Sequence, residues 1–143
     1  MSTTVSPLES ARTELASFGD RLVGPDDARY DEARTLFNAM IDKRPALIAF
    51  CTSADDVAAA IRFARDRDLP LAVRGGGHNG GGLASVEDGV VIDLSPLKEV
   101  SVDPASRTVR VGGGCVWGEV DAAPARTTWR CRRGSSPRPA SAG

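Results

Sequence analysis

The alternation of apolar and polar positions is most regular between residues 44 and 74. An apolar run at 46–50 predicts a short strand, and Ser53 followed by two acidic residues predicts the start of a helix. Three apolar positions then recur at helical spacing and are expected to face a sheet: Val57, Ile61 and Ala64. A second apolar strand is expected at 71–73. This strand–helix–strand order predicts two parallel strands.

Weaker patterns flank this unit on both sides. Ser6-Pro7-Leu8-Glu9 has the residues of a capping box and predicts a helix that runs to about Phe18, before Gly19. A short helical region is expected at 30–38, a strand at 89–93, a hairpin over 100–111 and a helix from Val116. The prediction is an α+β fold, a small mixed sheet with flanking helices. We divide the chain into a helical lead-in (1–40), the sheet-containing part (41–123) and a tail (124–143).

Six of the nine residues from Arg74 to Gly82 are glycine. Ordering so many glycines is entropically costly, and such runs often let backbone N–H groups approach a phosphate closely. A flexible surface loop explains the same composition about equally well. The spacing G-x-G-x-x-G occurs at Gly75, Gly77 and Gly80, but a dinucleotide site of the Rossmann type requires a helix after the loop. The next strand begins too soon for such a helix, so we expect a loop between strands.

His78, the one histidine of the chain, lies in the middle of this loop. A lone histidine is more often a satisfied polar group, but between glycines its imidazole could contact or bond to a ligand, because neutral imidazole is a nucleophile. One histidine and three cysteines without C-x-x-C spacing exclude a Cys/His zinc site. We expect no metal site.

Five segments in order resemble one family. They are Arg44-Pro45, the helix start at 53–57, Val73-Arg74-Gly75-Gly76-Gly77-His78-Asn79, the strand end at 91–95, and Gly112-Gly113-Gly114-Cys115-Val116-Trp117-Gly118. Together they resemble the FAD-binding domain of the vanillyl-alcohol oxidase / p-cresol methylhydroxylase (PCMH-type) superfamily, nearest the berberine-bridge-enzyme-like branch. The resemblance covers about residues 20–123 and implies the first subdomain of that domain, truncated.

The resemblance implies roles for individual residues. The loop that contacts the FAD pyrophosphate would comprise Arg74, Gly75, Gly76, Gly77, His78, Asn79 and Gly80. His78 matches the histidine that bonds covalently to the flavin in many members. Cys51 and Cys115 do not match the cysteine that forms a second covalent bond in some members, and Asp93 and Ser95 are interpreted as structural.

The charge distribution sets the last twenty residues apart. All 19 acidic residues lie between Glu9 and Asp121, whereas residues 124–143 contain five arginines and no acid. Shifting the reading frame from the Trp129 codon onward, with GC-rich synonymous codons, yields A-V-P-S-G-I-I-S-T-T-G-V-G-G, which resembles the next flavin-contacting loop of the family. We therefore hypothesise that the tail is out-of-frame, non-native and disordered. A native basic tail that binds RNA or a membrane surface is the competing interpretation.

The resemblance implies an oxidoreductase that transfers a hydride from an alcohol, sugar or alkaloid to FAD, with O2 as acceptor. We expect this chain to lack the substrate domain and to have no turnover, weak or no FAD retention and exposed apolar surface that lowers solubility. A stand-alone nucleotide-binding module is the alternative function. Neither a signal pattern nor a long apolar run is present, so we expect a cytoplasmic protein without membrane or nucleic-acid partners.

Overall fold

The computed structural model describes residues 6–123. The tail at 124–143, with the predicted disorder and frame change, lies outside the described residues. Helices occupy Pro7–Glu14 (α1), Tyr30–Arg34 (α2), Ala54–Arg65 (α3) and Trp117–Ala122 (α4), and a 3-10 segment occupies Ala16–Arg21. Strands occupy Leu22–Val23 (β1), Leu47–Phe50 (β2), Leu71–Arg74 (β3), Val90–Asp93 (β4), Val100–Asp103 (β5) and Thr108–Val111 (β6). The α+β prediction, a small mixed sheet with flanking helices, is confirmed.

The central sheet has the strand order β1-β2-β4-β3. β2 and β3 are both parallel to β4, and β1 adds an antiparallel edge next to β2. The two strands joined by α3 therefore run in the same direction, as predicted, but β4 lies between them. β5 and β6 form the predicted hairpin as a separate two-stranded sheet.

Local signals explain where the helices begin. At α1 the Ser6 hydroxyl accepts from the Glu9 N–H, and the Glu9 carboxylate accepts from the Ser6 N–H, each at 3.2 Å. At α3 the Ser53 hydroxyl accepts from the Asp56 N–H at 3.1 Å. The predicted single helix to Phe18 is wrong at its end, because α1 stops at Glu14 and the chain continues as the 3-10 segment, where Gly19 has a φ of +51°.

One face of the central sheet is thickly covered. α1, the 3-10 segment and α3 pack there against buried residues of β2 and β4, among them Leu47, Ala49, Val90 and Ile92. The buried side of α3 consists of Ala60, Phe63 and Ala64, with Val57 partly buried. The prediction that Ile61 faces the sheet is wrong: its side chain is 41% exposed.

The opposite face carries a smaller core, in which α2 covers the sheet through Tyr30, packed with Val23, Ile48, Ala72 and Val91. The Tyr30 hydroxyl donates to the Pro45 carbonyl at 2.7 Å, which fixes α2 to the start of β2. Residues of the lead-in thus contribute to both cores. Among the described residues, no helix is long and apolar enough to cross a membrane.

Candidate functional site

Three parallel strands end side by side at the same edge of the sheet. Phe50, Asp93 and Arg74 are the last residues of β2, β4 and β3, and the strand register places Asp93 between the other two. A crevice outside the carboxyl ends of parallel strands is where open α/β sheets bind ligands. The glycine-rich segment begins directly after Arg74, so the topology places it at this edge.

A cleft of about 440 Å³ opens at this edge. The loop forms one wall with Gly75, Gly76 and Gly77, and the strand ends form the floor. The lead-in forms the other wall with Val23, Arg29, Glu32, Ala33, Thr35 and Phe37. The size falls in the range of small-molecule sites. Sequence reasoning did not find the lead-in wall, because nothing in the sequence indicates which residues of 20–37 approach a loop that lies about forty positions later.

Arg74 and Asp93 form a buried ion pair at the floor of this cleft. The Arg74 Nε donates to Asp93 Oδ2 at 2.7 Å, and Nη2 lies 2.6 Å from the same oxygen. The Arg74 Nη2 also donates to the Ala33 carbonyl at 2.6 Å, and Asp93 Oδ1 accepts from the Ser95 N–H at 2.8 Å. Both side chains are more than nine-tenths buried. The structural role expected for Asp93 is consistent with these contacts.

The second arginine of the cleft is also paired with a carboxylate. Two nitrogens of the Arg29 guanidinium donate to the Asp27 carboxylate, at 3.0 and 2.7 Å. These hydrogen bonds lower the pKa of Asp27 to about 2. Of the residues that line the cleft, both arginines therefore have an acidic partner within the protein. An anion in this cleft would be bound mainly by backbone N–H groups.

The glycine loop contains the other sequence-predicted residues, and three of its features define its shape. Gly77 has a φ of +71°, which favours glycine, and Asn79 accepts from the Leu83 N–H through its Oδ1 at 3.2 Å. A Cβ at Gly80 would meet nothing within 4 Å, so the loop leaves open space there. No helix occurs between β3 and β4, which confirms that the G-x-G-x-x-G spacing is not a Rossmann site.

His78 is exposed and lies beside an aromatic ring of the lead-in. The ring centroids of His78 and Phe37 are 5.2 Å apart in a T-shaped arrangement. The Phe37 segment is held at both ends: Arg34 pairs with Asp42, and the Asn38 amide donates to the Gly80 carbonyl at 3.2 Å. His78, Asn79 and Gly80 are not among the residues that line the cleft, so of the seven predicted residues the structure brings only Arg74 to Gly77 to it.

Neither of the two described cysteines is among the residues that line this cleft. Cys51 is buried in the larger core, and burial raises the pKa of its thiol to about 11, so the thiolate is scarce at neutral pH. The Cys115 thiol lies near the carbonyls of Leu97 and Glu99. Among residues 6–123, no group of three or more His, Cys, Asp or Glu side chains could hold a metal ion.

The second glycine cluster, residues 112–114, packs against protein backbone. A Cβ at Gly112 would collide with the Leu97 carbonyl, and one at Gly114 with the Leu94 carbonyl. A Cβ at Gly75 would come within 2.8 Å of the Gly113 carbonyl, so the two clusters touch. In this cluster the absence of side chains lets two backbone segments of the protein pack closely against each other.

The chain is similar to known flavoproteins over most of its length. It is 38% identical over 108 residues to (R)-6-hydroxynicotine oxidase of Paenarthrobacter nicotinovorans, covering 76% of this chain and 23% of that protein. It is 34% identical over 117 residues to an uncharacterized FAD-linked oxidoreductase of Bacillus subtilis, covering 82% and 25%. The chain therefore spans about a quarter of the length of these relatives.

Solved structures agree with this relationship. The crystal structure of 6-hydroxy-D-nicotine oxidase from Arthrobacter nicotinovorans superposes with a TM-score of 0.71 at 37% identity, covering 73% of this chain and 23% of that one. The berberine-bridge-enzyme-like protein 1 of Physcomitrella patens superposes with a TM-score of 0.74 at 29% identity, covering 81% and 26%. The family model described as "FAD binding domain" matches residues 45–143. The chain belongs to the FAD-binding domain family of the PCMH-type, berberine-bridge-enzyme-like flavoproteins.

Proposed function

We propose that this chain supplies one wall of the FAD site of an oxidoreductase that oxidises a small organic substrate. The observation that carries the proposal is the cleft at the carboxyl edge of β2, β4 and β3, bounded by the glycine loop. FAD is the cofactor of the family. When bound, FAD accepts a hydride from a substrate C–H bond, and the proposed acceptor of its electrons is O2. The substrate class proposed is an alcohol, a sugar or an alkaloid.

The residues of the cleft fit part of such a cofactor. The open space beside Gly80 and the glycine wall at 75–77 allow backbone N–H groups to approach a pyrophosphate. The apolar surfaces of Val23, Phe37 and Phe50 suit the uncharged parts of the molecule. Arg74, Gly75, Gly76, Gly77, His78, Asn79 and Gly80 remain the proposed cofactor loop.

His78 is the proposed site of covalent attachment to the flavin. Its imidazole is exposed, belongs to the loop and is the single histidine of the chain. When a ring nitrogen bonds to a flavin methyl carbon, the imidazole N–H and one methyl C–H each lose a proton, and the two electrons pass through the flavin to O2, which takes up two protons to become H2O2. If this bond forms in this chain, protein precipitated with acid remains yellow, which would overturn the expected weak or absent FAD retention, whereas His78→Ala releases all flavin into the supernatant. A colourless wild-type precipitate after incubation with FAD and O2 contradicts covalent attachment.

FAD binding by this chain is tested by titration. FAD fluorescence is measured while purified protein is added, with ADP and riboflavin as competitors. We expect weak, saturable binding and no flavin reduction by alcohols, sugars or alkaloids under anaerobic conditions. If ADP binds saturably and FAD binds no more tightly than ADP, the result favours the stand-alone nucleotide-binding module. Absence of binding at millimolar FAD contradicts the proposed site, and substrate-dependent bleaching of the flavin contradicts the proposed lack of turnover.

Two further proposals concern the whole chain. We propose that residues 124–143, although the family match at 45–143 includes them, are translated out of frame. Sequencing the gene past codon 143 tests this, since a flavoprotein frame is expected to follow, and its absence would contradict the proposal. We also propose a cytoplasmic location, which the free thiols of Cys51 and Cys115 support. Fractionation of the source cells tests the location.

A further inference from the structure

We propose that the Arg74–Asp93 ion pair is a positioning pair for the FAD site, and that the Arg74 guanidinium is not a phosphate ligand. This inference rests on the proposed function and goes beyond it, because Arg74 belongs by position to the loop that would contact the pyrophosphate. The alternative role, an arginine that binds the anion directly, predicts an opposite effect of changing Asp93.

The first step of the argument is that two of the three guanidinium nitrogens, Nε and Nη2, have partners within the protein. Its Nε and Nη2 both approach Asp93 Oδ2, and Nη2 also donates to the Ala33 carbonyl. The side chain is only 7% exposed, and that of Asp93 only 4%. To reach a ligand through Nε or Nη2, the guanidinium would have to give up a buried carboxylate, which leaves that carboxylate uncompensated.

The second step is that the contacts of Arg74 connect three separate parts of the fold. Asp93 ends the central strand β4, Arg74 ends β3 and begins the glycine loop, and Ala33 lies in the last turn of α2. One side chain therefore connects the loop root, the sheet and the lead-in. The aliphatic part of Arg74 also packs with Leu36 beneath Gly77, within 4 Å of where a Cβ would lie.

The third step leads to His78. Ala33 precedes Phe37 by four positions, and Phe37 contacts the His78 ring with a centroid distance of 5.2 Å. The hydrogen bond from Arg74 to the Ala33 carbonyl therefore helps to place Phe37 across the cleft from the loop. The two cleft walls are aligned by a pair that lies beneath them.

The two roles predict opposite changes in FAD affinity when Asp93 is replaced. If the pair positions the site, Asp93→Asn and Arg74→Gln both weaken FAD binding, by about tenfold or more, since each removes charged hydrogen bonds. The double variant is then no weaker than the worse single variant. If Arg74 binds the phosphate, Asp93→Asn tightens FAD binding instead, because it frees the guanidinium and removes a negative charge. Tightening, or unchanged affinity in both single variants, overturns the proposal.

A second readout does not require FAD. Because the chain has one histidine, the His78 ring proton resonances are assignable in an NMR spectrum of the full chain at fixed pH. Phe37→Leu measures the ring-current contribution of Phe37. We expect Asp93→Asn and Arg74→Gln to move the His78 resonances towards their position in Phe37→Leu. Wild-type resonance positions in both variants overturn the proposal even if the wild-type chain does not bind FAD.

Arg74→Lys covers the case in which the other variants do not fold. A lysine retains the charge beside Asp93, but its single ammonium group cannot reproduce the fork that reaches both Asp93 and Ala33. We expect a folded protein with displaced His78 resonances. The matched control is the exposed pair Arg65–Asp66 at the end of α3, where Arg65→Gln and Asp66→Asn should leave both readouts unchanged. A purely structural role for Arg74 would lower stability in Arg74→Lys while the folded protein keeps wild-type resonances and affinity, and that result also overturns the proposal.

Discussion

The glycine cluster at residues 112–114 is packed closely by the protein throughout, whereas the cluster at 75–82 is packed at Gly75 and Gly82 but open at Gly80. Around Gly112 and Gly114 the missing side chains make room for the carbonyls of Leu97 and Leu94. A Cβ at Gly80 would have no atom within 4 Å, so the space beside this glycine is open. A glycine whose space is filled by the protein serves packing, whereas a glycine beside open space, as Gly80 is, can be approached by a ligand. Composition alone does not distinguish the two.

Gly114→Ala should have the largest effect on stability. The added Cβ collides with the Leu94 backbone, which cannot move aside as a side-chain end can. We expect a loss of about 2–3 kcal/mol in the free energy of unfolding, typical of overpacking. Chemical denaturation followed by circular dichroism measures it. A loss below that of Gly75→Ala would contradict the assignment of this cluster to internal packing.

Gly75→Ala tests the point where the two clusters touch. Its Cβ would lie 2.8 Å from the Gly113 carbonyl, also a clash with backbone but a milder one than the 2.0 Å approach at Gly114. We expect a loss of about 1 kcal/mol in unfolding free energy, accompanied by weaker FAD binding because Gly75 also lines the cleft. Thermal denaturation and FAD titration of the same preparation give both values. An effect on stability without one on FAD would assign Gly75 to packing alone.

Acid should weaken the region of the second cluster in a way that depends on Glu119. Its carboxylate accepts from the Val116 N–H at 2.8 Å and from Lys98, and these hydrogen bonds lower its pKa below the ordinary 4.5. A lowered folded-state pKa means that the stabilisation is complete above about pH 4.5 and is lost as pH falls through the folded value. Stability should therefore decline less between pH 6 and pH 3 in Glu119→Gln than in the wild type, as measured by urea denaturation. Parallel declines would contradict the assignment.

Gly80→Ala should have the smallest effect on stability, within about 0.5 kcal/mol, because its Cβ points into open space. FAD binding should nevertheless weaken, since the methyl group enters the space proposed for the cofactor. Gly118→Ala is the matched control: it too meets nothing within 4 Å, but it lies in α4, where alanine favours the helix. The comparison fails if both variants bind FAD equally well.

Local chemistry made much of the fold predictable. The capping residues Ser6 and Ser53, the apolar run at 46–50 and the turn of the hairpin each identify an element from a few adjacent residues. The sequence did not reveal that β4 lies between β2 and β3, nor the two-residue strand β1, because strand order depends on packing between distant segments. Ile61 shows the same limit: helical spacing from Val57 fits it to the buried side, but the side that packs consists of Ala60, Phe63 and Ala64, and Ile61 is 41% exposed.

The candidate site was predictable only in part. The glycine loop with His78 stands out in the sequence, but the Arg74–Asp93 contact spans nineteen positions and depends on strand register. The lead-in wall, including Phe37, approaches the loop only through the folded chain. Composition therefore identifies the glycine loop, whereas Asp93 and the lead-in residues that complete the cleft are recognisable only in the folded chain.

The position of β3 at the end of the strand order has a consequence for handling the protein. Within residues 6–123 this strand pairs with β4 alone, and Leu71 and Val73 are 40% and 51% exposed on it. Unpaired backbone groups beside exposed β-branched and aliphatic side chains provide a template on which another extended chain can add. Aggregation of the concentrated protein should therefore proceed by strand addition at β3. The substitution Val73→Lys should slow this aggregation.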